Sequence, residues 1–355
     1  MSLRKAISMA ELGQLPDSVI RFGIRRLLTG RLRREEARYA GGEGEAFERL
    51  LHELRASPIA VSTSDANRQH YEVPADFFRQ VLGARMKYSS CLWPRKETTL
   101  DESEKEMLAL TCERAALRDG MRILELGCGW GSLTLWMAEH YPSSRITAVS
   151  NSASQRRFIE ECCRERGLDN VVVLTVDMND FDPGAAFDRV VSVEMFEHMR
   201  NVGELMRRIR GWLAPEGRLF VHIFCHRKFT YLFRTEDDAD WMGRYFFTGG
   251  MMPSEDLLVR VQDSLKLDES WRVNGVHYAR TLLAWLARMD ARRETVLPVM
   301  AQVYGAEDAL RWFGRWRLFF LSCAELFAWN HGKDWFVAHY RFRIQDSGAD
   351  FPLPA

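Results

Sequence analysis

Between Met121 and His226 five short apolar runs, "RILELG", "RITAVS", "VVVLTVD", "DRVVSVEMF" and "RLFVHIF", alternate with segments of helical periodicity, "SLTLWMAEHY", "ASQRRFIEECCRERG" and "VGELMRRIRGWL". A short apolar run with little polar alternation suits a strand buried on both faces. Strands joined through helices run parallel, because only a long crossover brings the chain back to the same end of the sheet. The expected fold is therefore α/β, a doubly wound, mostly parallel sheet covered by helices on both faces. A chain of 355 residues with 46% hydrophobic content can bury such a core and carry additions.

The additions lie at both ends of this alternation. Residues 1–60 read as an N-terminal helical extension, 61–226 as the cofactor-binding core, and 227–312 as a helical, aromatic-rich cap insertion. Residues 313–345 return to the core with the helix "LFFLSCAELFAW" and the strand "WFVAHYRFRI", and 346–355 form a tail. The cap is expected over the carboxyl edge of the sheet, where open α/β folds bind ligands.

The first strand runs into "ELGCGWGS", with Glu125 ahead of Gly127, Gly129 and Gly131. Glycines at a strand-to-helix turn let a ligand approach the backbone and meet unpaired helix N–H groups. Dinucleotide folds add an acid at the tip of the second strand. Here that tip is "VSNSASQ", without Asp or Glu, and Ser132 and Leu133 follow Gly131 where a third glycine would stand. A nicotinamide is thus disfavoured, and a ribose would fall to Ser150, Asn151 or Gln155.

The string Glu125 plus GCGWG resembles motif I of the class I (Rossmann-like) S-adenosylmethionine methyltransferases. "HYEVPADFF" (70–78), "MKYSSCLW" (86–93), "SNSASQ" (150–155), "VSVEMFEHM" (191–199), "FVHIFCH" (220–226), "RYFFTGGMMP" (244–253) and "NGVHYARTLLAW" (274–285) follow in family order. Together they resemble the cyclopropane fatty acid synthase and mycolic acid methyltransferase superfamily, and within it the coclaurine N-methyltransferase branch. The resemblance implies S-adenosyl-L-methionine as cofactor. It places Tyr88 and Ser89 at the methionine end, Gly127 and its neighbours beneath the cofactor, Ser150 to Gln155 at the ribose, and Asp177 and Met178 beside the adenine. Asp177 as a helix cap and Met178 as ordinary core are the plainer alternatives.

Methyl transfer from a sulfonium is an in-line displacement governed by positioning. Proton removal is a separate need, since an ammonium has no lone pair to attack with and an alkene must shed a proton afterwards. "VEMFEHM" follows the fourth strand and brings Glu194, Glu197 and His198 to the crevice, with Glu194 also within reach of the cofactor. Two carboxylates beside an imidazole attract an ammonium and accept its proton near neutral pH, and Glu197 with His198 is the first choice. In the lipid branch a bicarbonate ion serves as base, held by the cysteine of a "YSC" string with Glu, His and Tyr from later strings. Glu197, His222 and Tyr278 match, whereas Ser90 stands where that cysteine falls and Cys91 comes one position later, which weighs against a bicarbonate cradle.

"YSSC" and "FEHM" agree with the amine-methylating branch, so the expected activity is N-methylation of an amine on a hydrophobic or aromatic small molecule. Transfer to an unsaturated lipid acyl chain is the enzymatic alternative, and a cofactor-binding protein without catalysis the minor one. Tyr231, Phe233, Trp241, Tyr245, Phe246 and Phe247 offer either a wall for a flat ring or ordinary cap core. His222, Cys225 and His226 lack a second ligand pair at zinc spacing, so no metal is expected.

Charge and cysteines bound the partners. Lysine plus arginine and aspartate plus glutamate are each 49, a balance that offers no global field for nucleic acid. The basic segment "SVIRFGIRRLLTGRLRR" carries Arg21, Arg25, Arg26, Arg31, Arg33 and Arg34; it reads either as a helix laid on the domain or as a peripheral contact with an anionic membrane. Seven cysteines without a CxxC pair, and no long apolar N-terminal run, suggest reduced thiols in a cytoplasm. The oligomeric state stays open, with a homodimer among the options.

Overall fold

The computed structural model describes residues 2–40, 43–61 and 73–345. His70, Tyr71 and Glu72 of the "HYEVPADFF" string and the 346–355 tail lie outside the described residues.

The alternation read from the sequence becomes β1 (Arg122–Leu126), α6 (Ser132–His140), β2 (Arg145–Ser150), α7 (Ala153–Arg166), β3 (Val171–Thr175), β4 (Phe187–Val193), α8 (Val202–Trp212) and β5 (Leu213–His226). Ahead of it run α1 (Leu3–Glu11), α2 (Asp17–Ala40), α3 (Glu43–Arg55), α4 (Ala75–Val81) and α5 (Leu100–Arg114). Local chemistry sets several of these ends. Thr99 and Glu102 close a capping box on α5, and Ser152 caps α7, which stops at Gly167 with φ 66°. Both devices satisfy backbone groups that a helix end leaves orphaned.

The seven-stranded sheet has the order β3-β2-β1-β4-β5-β9-β8, with β9 spanning Trp335–Ile344 and β8 Leu265–Val273. Strands β1 to β5 pair in parallel, whereas β9 runs antiparallel to both β5 and β8. The chain order reverses between β1 and β4, and the crevice outside their carboxyl ends is where such sheets bind ligands.

The stretch 227–312 is of two kinds. Its first part holds the short pair β6 (Tyr231–Leu232) and β7 (Met251–Met252), with α9 (Trp241–Tyr245) and α10 (Leu257–Arg260). Its second part supplies β8, an edge strand of the main sheet, then α11 (Gly275–Ala291) and α12 (Arg293–Tyr304), which pack with α13 (Ala309–Ala328). Part of the expected insertion therefore belongs to the sheet. The strand "LKLDESWRV" hides in the sequence because much of it is exposed and charged, so it lacks the apolar run that marks the central strands.

Helix α2 lies on the domain through its arginines. Arg21 and Arg25 both pair with the Glu325 carboxylate on α13, which is nearly buried. Arg31 meets Glu35 and Asp240 and stacks on the Tyr231 ring at 5.1 Å, while Arg26, Arg33 and Arg34 are exposed. No described helix is long and apolar enough to cross a membrane.

Candidate active site

The carboxyl ends of β1, β2 and β4 open into a cavity of about 240 Å³. Its floor is the glycine loop. Gly127, Gly129 and Gly131 all sit at positive φ, at 79°, 53° and 77°, where a Cβ is costly. The three are used differently. A Cβ on Gly127 would fall 2.7 Å from Met195, and one on Gly131 would fall 2.6 Å from Ile159 on α7, whereas one on Gly129 would meet nothing within 4 Å. Gly131 therefore serves helix packing as the N-cap of α6 and does not line the cavity. Gly129 faces open space inside it. Glu125 beneath the loop is buried and accepts from the Thr134 hydroxyl, and burial pushes its carboxyl up to about 8.

Ser150, Asn151 and Gln155 line the same cavity at the tip of β2. The Ser150 hydroxyl donates to Gln155 Oε1 at 2.6 Å and accepts from the Ser152 amide, so these two side chains shape the tip together. Met178 lines the cavity; Asp177 does not. Its Oδ1 accepts from the Asn179 amide at 2.8 Å. Asn179 in turn exchanges two hydrogen bonds with the Ala60 backbone, which holds Ala60 and Val61 at the rim. Tyr88 and Ser89 face the cavity from the segment before α5.

The acids stand behind this surface. Glu194, one residue past β4, is a non-glycine residue at φ 48°, a conformation that costs about 1–2 kcal/mol and turns its side chain inward. Its carboxylate is fully engaged. Oε1 accepts from the Ser90 amide at 2.9 Å and meets His222 Nε2 at 3.1 Å, while Oε2 accepts from the Tyr278 hydroxyl. His222 lies behind Glu194 and off the cavity wall. Glu197 is as deeply buried and lines the cavity, yet neither of its oxygens has a hydrogen-bond partner among the described residues. Burial raises both carboxyls. For Glu194 the rise is opposed by Lys87, the Ser90 amide and Tyr278, whereas for Glu197 it is reinforced by the Glu194 charge. Of the pair, Glu194 has the donors that favour the charged form, and Glu197 is the one its surroundings push further toward the neutral form. The His198 ring stacks flat on Phe247, 5.1 Å away, and faces the cavity.

Residues 60–333 match the family described as mycolic acid cyclopropane synthetase. The chain belongs to the mycolic acid cyclopropane synthetase family. Within it, the chain is similar to the (S)-coclaurine N-methyltransferase of Thalictrum flavum subsp. glaucum, with 40% identity over 94% of this chain and 93% of that one. It is also similar to the cyclopropane-fatty-acyl-phospholipid synthase of Escherichia coli K12, with 34% identity over 63% of this chain and 56% of the relative. A crystal structure of coclaurine N-methyltransferase bound to N-methylheliamine and SAH superposes with a TM-score of 0.90 at 36% identity, covering 96% of this chain and 99% of that one. The chain is an S-adenosylmethionine-dependent methyltransferase.

The residues present fit that cofactor as members of this family. The glycine loop leaves open space before Gly129, and the Glu194 carboxylate, whose donors favour its charged form, suits a sulfonium. Among the described residues no group of three His, Cys, Asp or Glu side chains is placed to hold a metal ion. Sequence reasoning missed Lys87, which is buried on the cavity wall and donates to Ser89 Oγ and to the Ser90 carbonyl at 2.8 Å. Nothing in "MKYSSC" distinguishes a buried lysine from the usual exposed one. It also missed Trp285, Phe319 and Phe327, which line the cavity from α11 and α13. Of the six cap aromatics only Phe233 and Phe247 line it. Trp241 donates to Glu11, Phe246 stacks on Phe319, and Tyr231 accepts from Trp335.

Proposed function

We propose that this enzyme N-methylates an amine on a hydrophobic or aromatic small molecule, with Glu197 and His198 receiving the amine's proton. The observation that carries the reading is the Glu197 carboxyl, buried in a cavity wall without a partner. An unpaired buried acid is costly and calls for a missing group. An ammonium supplies that group: as it binds, the acid's own proton leaves through the cavity, and the carboxylate so formed accepts a hydrogen bond from the ammonium and then takes its proton.

The rest of the wall suits an apolar body attached to that nitrogen. Phe224, Phe233, Phe247, Phe319, Phe327 and Trp285 surround the acids, and aromatic faces also attract a cation. Bound S-adenosylmethionine supplies an electrophilic methyl group on a sulfonium. With the amine's proton on Glu197 or His198, the acceptor nitrogen would keep its lone pair free for that methyl group. Glu194, whose three donors favour its charged form, balances the positive charge of this arrangement. Relatives named (S)-coclaurine, pavine and (S)-tetrahydroprotoberberine N-methyltransferases support an amine acceptor.

The arrangement of these residues weighs against a bicarbonate. His222 and Tyr278, which would hold it, are both bonded to Glu194, whose carboxylate fills the place of an external anion. The test is product analysis by mass spectrometry, with labelled cofactor and separate pools of amines and phospholipids. Label on nitrogen is expected; label confined to acyl chains would overturn the reading.

A further inference from the structure

We infer that Arg114 and His339 are positioning residues that set the tautomer of His222 and so hold Glu194 as the fixed anion of the site. Four side chains form one line. Arg114 Nη1 lies 2.9 Å from His339 Nδ1, His339 Nε2 lies 2.9 Å from His222 Nδ1, and His222 Nε2 lies 3.1 Å from Glu194 Oε1. Each ring nitrogen could donate or accept, but the far end decides the whole row. A guanidinium only donates, so His339 Nδ1 accepts. Both imidazoles are buried and kept neutral by burial and by the charges of Lys87 and Arg114, so each carries one N–H. The His339 proton is then on Nε2 and points at His222 Nδ1, which leaves the His222 proton on Nε2, pointing at Glu194. Every link donates inward.

The fold builds this row through strand register. His222 on β5 pairs with His339 on β9, and His339 pairs with Trp271 on β8. Arg114, the last residue of α5, stacks on Trp271 at 5.1 Å and is thereby held over the row's outer end. The charged and titratable groups around the row are Lys87 and Glu194 at its inner end, with Tyr278 and Glu197 beyond, and Glu113 and Arg341 near Arg114. The row is not a proton exit. Arg114 neither gives up its proton nor accepts another, so a proton taken from substrate leaves through the cavity.

The tautomers follow from the geometry of the row and the burial of its rings, while their effect on turnover rests on the activity proposed above; the two are read separately. Histidine labelled with nitrogen-15 in the whole chain, without acceptor, reports tautomers directly. His339→Phe assigns the two resonances by their loss or shift. The Nε2–H form is expected for both rings of the wild type, and an Nδ1–H form of His222 would overturn the inference; His222→Gln gives the same assignment should His339→Phe fail to fold. Arg114→Met should mix the tautomers and lower kcat at least about tenfold with cofactor Kd unchanged. Arg114→Lys, still a donor-only cation, should restore much of both. Unchanged tautomers and kcat in Arg114→Met would equally overturn it.

Discussion

Glu197→Gln separates a buried neutral acid from an ordinary carboxylate by its effect on stability as a function of pH. The substitution keeps size and polarity but removes the titration. In the folded protein burial and the Glu194 charge hold the Glu197 carboxyl well above its usual 4.5, so over the interval between those two values the folded state binds a proton that the unfolded state has lost. A group raised in this way contributes its full stability below the unfolded pKa and loses it as pH rises toward the folded one. The slope reaches about 1.36 kcal/mol per pH unit for one proton inside that interval. With an unfolding entropy near 2.1 cal/mol/K per residue, a chain of 355 residues converts that into about 2 °C of Tm per pH unit. Scanning calorimetry of both proteins should therefore show the wild type losing about that much relative to Glu197→Gln over the interval. Glu125 and Glu104, raised to about 8 and about 7, titrate in both proteins and cancel in the difference. A constant Tm difference across the interval would refute the reasoning, because it would mean that Glu197 is already ionised at the lower pH. At saturating cofactor the same variant should lose about 10²- to 10⁴-fold in kcat, with part of the deficit recovered as pH approaches the free amine's pKa.

Gly129→Asn, which tolerates the left-handed backbone at that position, should keep a near wild-type Tm while isothermal calorimetry shows cofactor affinity reduced at least about tenfold (about 1.4 kcal/mol); unchanged affinity would take the loop out of the site. Tyr278→Phe removes one donor from the buried Glu194 carboxylate and should cost about 1–3 kcal/mol by denaturant titration, whereas no loss would mean that the bond contributes nothing. Arg21→Gln with Arg25→Gln strands the nearly buried Glu325 and should lower stability by about 3 kcal/mol. Arg26→Gln with Arg33→Gln, on exposed positions, should stay within about 0.5 kcal/mol of wild type, and equal losses in the two pairs would remove the anchoring role of α2.

The order of strands and helices from β1 to β5 was legible because each central strand is an unbroken apolar run and three of the four connections between them have helical period. The glycine loop was legible because φ values of 53° to 79° leave little choice of residue. The identities of Glu194, Glu197 and His198 were legible too, since they are adjacent in one string. What each does was not. Glu194 is favoured in its charged form over Glu197 because the donors around Glu194 come from Ser90, His222 and Tyr278, between 28 and 104 positions away in the chain, and none of them reaches Glu197. Edge strand β8 escaped notice because its exposed, charged residues carry no core signal, and His339 because its meaning depends on register with His222 across β5 and β9. Periodicity and backbone conformation are local properties, written in neighbouring residues. Protonation, tautomer and the direction of a hydrogen bond are properties of whatever packs against a group, and only the folded chain decides that.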